Sequence, residues 1–366
     1  MAALDSPFYG LPCIATKATT PLSTPPANHV PILPDLHLNI WEKGDVAFLD
    51  IGLMLDVHEA AATFELLVPW PVQDGDLEDL SDRLFEKSAV PAIFNEGWEI
   101  TRGVGNVAGR VGEPGSQTAL FLIMESHSEL KVSPFTYQGK RLASVSLDIA
   151  SLRRKASAPN GAPKMYVRFR VKEVPKDFYR VGIDQKDRFL VSSWQRTEII
   201  DFRLNVRRGV PLGLEQSIGQ FVEFSKVHLF LMKSRDQDIV FEDTLFKACR
   251  SLEDEDFWAG YSLSKTADSS ARQENLKHVR QSLGYQWSKV ATTTATGALI
   301  PVREYGILAR YKNIRFGIGK FIFIALVVGA MGNATWDGAK ILYAGSALER
   351  KIELWTTSKH EGSDAK

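Results

Sequence analysis

The sequence predicts a mainly β protein: an antiparallel β-sandwich-like region followed by α-helices, one of them a transmembrane helix. Three observations predict it. Short apolar or alternating runs separated by turn residues fill residues 35–235. From about residue 243 the apolar spacing changes to steps of three and four. Lastly, "FIFIALVVGAMGNATW", from Phe321 to Trp336, carries no ionisable side chain.

The elements follow in order. Residues 1–34 hold 7 of the 17 prolines and read as a Pro-rich disordered arm. Residues 35–240 form the β-rich region. Its first strands are "LHLNIWE", "DVAFLDIGLML", "TFELLVPW" and "TALFLIME". A helix near 76–94 interrupts them, with Leu77, Leu80, Leu84 and Phe85 at helical spacing behind an acidic first turn. "GVGNVAG" lies one residue off a dinucleotide fingerprint with no helix after it, so a hairpin loop is expected. In "MYVRFRV" and "IIDFRLNVRRG" apolar and polar residues alternate, which marks strands with one buried face, apolar in and polar out. "KVHLFLM" adds a more buried strand. One large sandwich and two small ones fit equally well.

Residues 241–315 read as a helical connector. "DTLFKACRSL" is expected to be helix, "DEDFWAGYSLS" a break, and "SSARQENLKHVRQSLGYQWSKV" a longer helix. Its Leu276, Val279, Leu283, Trp287 and Val290 step by three or four, a stripe more often packed on its own domain than on another copy.

Residues 316–336 cover about 32 Å as a helix, enough for a hydrocarbon core of about 30 Å. Lys320 sits near one end, where its stem can snorkel, and Trp336 anchors the other. Ala325, Gly329 and Asn333 form a row of small and polar residues for helix–helix contact. A helix buried in protein is the competing expectation. More basic residues precede the run than follow it, which places the N-terminal region in the cytoplasm of a single-pass protein of the inner or cell membrane. The amphipathic tail, 337–366, sets Ile341, Leu348, Ile352 and Trp355 on one face.

Composition narrows the function classes. Residues 35–100 hold 15 acidic and 3 basic residues, and residues 151–210 hold 15 basic and 6 acidic ones. An asymmetry of this kind fits an anionic partner or two parts docking on each other. Cys13 and Cys249 have neither disulfide-framework nor zinc spacing, and the N-terminus lacks a signal-peptide pattern. No catalytic motif, cofactor fingerprint or metal-ligand spacing is found. The acidic runs at 74–79 and 253–256 read as helix starts.

One constellation remains. Arg168, Arg170, Arg203 and Arg207 lie on the polar sides of two strands, and Arg208 continues the second. Were those strands neighbours, the guanidiniums would form a grid able to hold phosphates. With a β-rich region, a connector and a C-terminal span, the layout resembles the membrane effectors of bacterial antiphage systems. That resemblance implies a homo-oligomer in a lipid bilayer. It implies a nucleotide or oligonucleotide ligand that controls permeabilisation or ion passage. The alternative expectation is a soluble β-sandwich structural or interaction protein with a buried apolar helix.

Overall fold

The computed structural model describes residues 13–18, 33–43, 46–58, 61–85, 89–94, 98–102, 107–112, 119–125, 128–137, 139–156, 164–183, 195–207, 221–262, 269–314 and 318–361. The strands of the first half are β1 (Ala15–Ala18), β2 (Asp35–Lys43), β3 (Val46–Asp56), β4 (Thr63–Val68), β5 (Leu77–Asp79), β6 (Glu99–Arg102), β7 (Val107–Gly112), β8 (Ala119–Leu122), β9 (Leu130–Tyr137) and β10 (Lys140–Asp148). The second half adds β11 (Lys164–Val174), β12 (Arg180–Ile183), β13 (Gln195–Leu204), β14 (Lys226–Ser234), β15 (Gln237–Glu242), β16 (Ala248–Ser251), β17 (Ser282–Val290), β18 (Thr292–Thr293), β19 (Leu299–Ile300) and β20 (Tyr305–Ile314). The helices are α1 (Ala89–Phe94), α2 (Ile149–Ala156), α3 (Glu255–Tyr261), α4 (Ser269–Arg280) and α5 (Ile318–Glu361). The protein is mainly β, with a helix at its C-terminal end.

The chain divides into two units, residues 1–185 with 196–313, and residues 186–195 with 314–366. In the first, the largest sheet runs β16-β17-β14-β2-β3-β11-β8-β7-β6, with β5 also on β11. Two four-stranded sheets, β1-β4-β10-β9 and β12-β13-β20-β15, share its apolar core. The period of two explains how. Leu36, Leu38 and Ile40 of β2, Leu49, Ile51 and Leu53 of β3, and Val167, Phe169 and Val171 of β11 enter that core. Ile200, Phe202 and Leu204 of β13 and Ile307 and Ala309 of β20 join them.

Alternate residues of the largest sheet point to its other face, and that face is also covered. Trp41, Met232, Phe257, Trp258, Tyr261 and Val279 form a second apolar cluster there, which brings α3 and α4 onto the sheet. Met54, Leu84, Val90, Phe121 and Tyr166 form a third around α1.

Several expectations are corrected. In the arm at 1–34, residues 15–18 form β1, and Cys13, Ile14 and Thr16 are buried; residues 1–12 and 19–32 lie outside the described set. The helix near 76–94 is a 3-10 turn (Asp74–Asp76), β5, a second 3-10 turn (Ser81–Phe85) and α1. Pairing of Leu77–Asp79 with β11 competes with local helix formation there and wins. The connector at 241–315 carries more strand than helix among its described residues. "DTLFKACRSL" contains β16, whereas "DEDFWAGYSLS" is α3, started by Asp254, whose side chain accepts the Phe257 N–H at 3.1 Å. The longer helix ends at Arg280, and Leu283, Tyr285 and Trp287 alternate along β17 instead. Pairing with β14 along the whole of Ser282–Val290 holds the strand, and Gly284 gives the Phe230 ring room there, since a Cβ would stand 2.4 Å from it.

Helix α5 dominates the second unit. Its 44 residues make it about 66 Å long. Ile322, Phe323, Leu326, Val328, Met331 and Trp336 are all exposed, and so are Ile341, Leu342, Tyr343, Leu348, Ile352 and Trp355. Among the described residues, no helix is long and apolar enough to cross a membrane. Phe321 and Ile324, like Lys320, have side chains outside the described set.

Candidate functional site

The arginine face is built differently from a solvated grid. Strand β11, with Arg168 and Arg170, lies in the largest sheet between β3 and β8, whereas β13, with Arg203, lies in the β12-β13-β20-β15 sheet. The two pairs are therefore not brought together. Arg203 is partly exposed and holds Asp201 through two bonds of 2.8 and 2.9 Å. Arg207 is exposed, and Arg208 lies outside the described residues. Arg168 and Arg170, by contrast, are 0% and 1% exposed.

Their burial follows from register. Arg170 lies opposite Asp50 across the β11–β3 ladder, and Arg168 lies opposite Gly52. Asp50 accepts from Arg170 Nε at 2.6 Å, from Arg170 Nη2 at 3.1 Å and from Trp41 Nε1 at 2.7 Å. Gly52 leaves the space its neighbours need: a Cβ there would stand 2.0 Å from Tyr166 Oη and 3.1 Å from Arg168 Nη1.

Arg168 is held mainly by neutral oxygens. Its Nε donates to Tyr261 Oη at 2.6 Å and its Nη1 to Tyr166 Oη at 3.0 Å. The Asn39 amide, oriented with its oxygen inward, accepts from Nη2 at 2.9 Å. Asp50 is 3.7 Å from Nη2. One fully buried carboxylate thus serves two buried guanidiniums. Arg170 Nη1 also donates to the Tyr261 carbonyl at 3.2 Å, and Arg83 donates to the same carbonyl, to Gly260 O and to Glu78. The last carbonyls of α3 accept these cationic donors, which latches the helix onto the sheet.

The electrostatics fit a locked cluster. Burial pushes the Asp50 carboxyl up, but the charge and hydrogen bond of Arg170, with Arg168, outweigh it and hold Asp50 below the usual carboxylate range. Burial also works against the Arg168 charge. The Tyr261 and Tyr166 oxygens and Asp50 outweigh it and keep the guanidinium protonated.

A second buried charge cluster lies at the edge of the shared core. Lys233 on β14 donates to Glu42 on β2 at 2.9 and 3.0 Å and to Glu198 on β13 at 3.3 Å. Arg180 stands 3.7 Å from Glu42 and 3.6 Å from Glu198, and Tyr179 donates to Glu42 at 2.8 Å. Burial raises the Glu42 pKa, yet Lys233, Arg180 and the Tyr179 hydrogen bond bring it below the ordinary value. Two cations face two carboxylates, so this cluster is balanced.

The clusters join elements far apart in sequence, and neither couples a nucleophile to a base. Among the described residues, no group of three His, Cys, Asp or Glu side chains is placed to hold a metal ion. Of the helix-face residues, Ala325, Gly329 and Asn333 are exposed on α5, as is Trp336. The partners of Arg168 that sequence reasoning missed are Tyr261, Tyr166 and Asn39. Tyr261 sat in a stretch expected to be a break, and its only signal was the dense aromatic run "FWAGY".

No protein-family model matches the chain. No curated protein matches it either. Among solved structures, it is similar to the Fcho1 Mu homology domain of Danio rerio with bound Eps15 peptide, at 8% identity, over 78% of this chain and 81% of that one, with a TM-score of 0.14. A TM-score that low does not establish a shared fold.

Proposed function

We propose that the protein is an oligomeric membrane effector: a β-rich body joined to a helix whose apolar stretch, 316–336, is embedded in a lipid bilayer. The observation that carries this is the exposure of bulky apolar side chains all around the first half of α5. Phe323, Leu326, Val328 and Met331 are each more than 60% exposed, and an all-round apolar helix is stable only where lipid or protein covers it. Lys320 and Trp336 then mark the two ends of the embedded stretch, and Ala325, Gly329 and Asn333 a face for helix contact within it. The body stands on the cytoplasmic side, and its task is to control permeabilisation or ion passage.

A nucleotide or oligonucleotide as the controlling ligand has narrower support. Arg168 and Arg170 are committed to Asp50, Tyr166 and Tyr261, and Arg203 is paired with Asp201, so such a ligand would draw on the exposed Arg207 and on Arg208, which lies outside the described residues. A second reading has its own observation. Because no described helix is long and apolar enough to cross a membrane, α5 fits a soluble interaction protein whose helix is covered by its own or another subunit. Extraction of expressing cells with and without detergent separates the two. The membrane reading expects the chain in the pellet until detergent is added, and leakage of dye from vesicles that receive the purified protein. Full recovery in the detergent-free supernatant sinks it.

A further inference from the structure

Two histidines of the largest sheet take no part in the clusters above. Straight across its helix-covered face run His228 on β14, His37 on β2, Gly52 on β3 and Arg168 on β11, each opposite the next in register. The His37 and His228 rings meet edge-on, with centroids 4.9 Å apart. Gly52 puts no side chain between His37 and Arg168. Phe94, the last residue of α1, closes over the row, its ring 5.3 Å from His37 and 4.9 Å from Tyr166.

The row suits neutral imidazoles. His37 is buried, and His228 Nδ1 is buried with no hydrogen-bond partner among the described residues. The fixed charges that act on the two rings are all cationic. Arg168 on β11 and Lys226 on β14 act on His37, and Lys226 and Lys247, just before β16, act on His228. The neighbouring carboxylates are engaged elsewhere. Asp35, two residues before His37 and opposite Lys226, accepts from the Ser225 hydroxyl, and Asp50 holds Arg170. β17 offers only Ser288 opposite His228, and α1 offers Phe94. Burial first, then repulsion from His228, Arg168 and Lys226, pushes His37 well below the usual histidine range. Burial and the two lysines push His228 down to about 3.

We propose that this histidine pair is an acid-sensitive latch: below neutral pH, protonation drives the two rings toward water and lifts α1 from the sheet. Opening bares Met54, Leu84, Val90, Phe121 and Tyr166, the apolar cluster around α1. The device goes beyond the proposed function, since it concerns the body alone and holds whatever covers α5. Its sign follows from linkage. Closed, the pair stays neutral at pH 5; open, each ring titrates at about 6.5. The open state binds more protons, so its population rises as pH falls below that value. From about pH 7 to pH 5 the gain is roughly 25-fold for each histidine released, and roughly 600-fold for both. Asp50 and Glu42 lose their contribution only at lower pH, so this window isolates the histidines.

The test uses the full-length chain with Cys249→Ser and Val90→Cys, which sets a thiol in α1 at a buried position. Its reaction with a dithiodipyridine reagent is followed from about pH 7 to pH 5, each rate divided by that of the urea-unfolded chain at the same pH. The same chain without Val90→Cys gives the background of buried Cys13. The corrected rate should rise at least about 25-fold, and should stay within about twofold once His37→Gln and His228→Gln are added. Single replacements cover a double variant that fails to fold, since each should remove one factor of about 25. A flat rate, or a rise that survives the replacements, overturns the latch. Histidine ring signals in nuclear magnetic resonance give an independent check. Two rings that become charged near the usual histidine range while the Val90→Cys thiol stays closed overturn it as well.

Discussion

The β-rich body and helix α5 treat polarity in opposite ways. In the body, charge goes inside: Asp50, Arg168, Arg170, Lys233 and Glu198 are all buried. On α5 the apolar side chains face outward, and its charges lie among them on the surface. A buried charge is tolerated when its partners are fixed before it loses water, and here β3, β11 and α3 hold those partners. An exposed apolar side chain is tolerated when something outside the chain covers it. The difference teaches where specificity resides. The body's is internal and complete, whereas the helix's needs another surface.

Acid should break the comparison most severely. The folded pKa values of Asp50 and Glu42 are depressed, so their contribution to stability is present above the ordinary carboxylate range, near pH 4, and is lost as pH falls through the folded values. The body should therefore unfold below that range while α5 keeps its helical signal. Tryptophan fluorescence and far-ultraviolet circular dichroism, followed together down the pH scale, read the two regions. Loss of the helix before the body would reverse the assignment.

Asp50→Ala comes next. It strands two guanidiniums without their carboxylate and should cost about 3–5 kcal/mol, seen as a large fall in thermal midpoint or loss of folded protein. Replacing Asp50, Arg168 and Arg170 together by apolar residues should recover part of that loss. A single mutant within 1 kcal/mol of the wild type would mean that the arginines are not held by charge.

Val327→Asp probes the other region. A charge near the middle of an embedded helix costs about 2.5–3.5 kcal/mol on insertion scales, so the variant should leave the membrane fraction with the body still folded. Unchanged partitioning would favour a protein cover over lipid.

Gly52→Ala should be milder, at about 1–3 kcal/mol, because Tyr166 must move and its bond to Arg168 must stretch. A neutral result would show that the cluster has slack, and would sharpen the contrast with the fixed geometry at Asp50.

Much of the sheet was legible because strands with unlike faces alternate in sequence. β2, β3, β4, β11, β13 and β14 lie where the apolar runs place them. Alternation reports that two faces differ, not that the polar one is wet. Arg168 and Arg170 alternate with Val167, Phe169 and Val171, yet their face is roofed by Phe257, Trp258 and Tyr261, about 90 residues onward. No local pattern carries that information. The β17 error has a related cause: Leu283 and Trp287 satisfy helical and strand spacing alike, and only pairing with the distant β14 decides.

The short strand β1 has a consequence in time. Its Thr16 N–H is accepted by Asn205 Oδ1 at 2.8 Å, and Asn205 N–H is accepted by the Ile14 carbonyl at 2.8 Å. Asn205 takes a left-handed backbone, with φ of 56°, to present its amide there. Thr16 and Asn205 are 189 residues apart, so β1, which can already pair with β4, cannot complete these hydrogen bonds until residue 205 has been synthesised. At about 5–20 residues per second that is a wait of roughly 10–40 s, during which the Thr16 N–H and the Ile14 carbonyl depend on whatever else shields them.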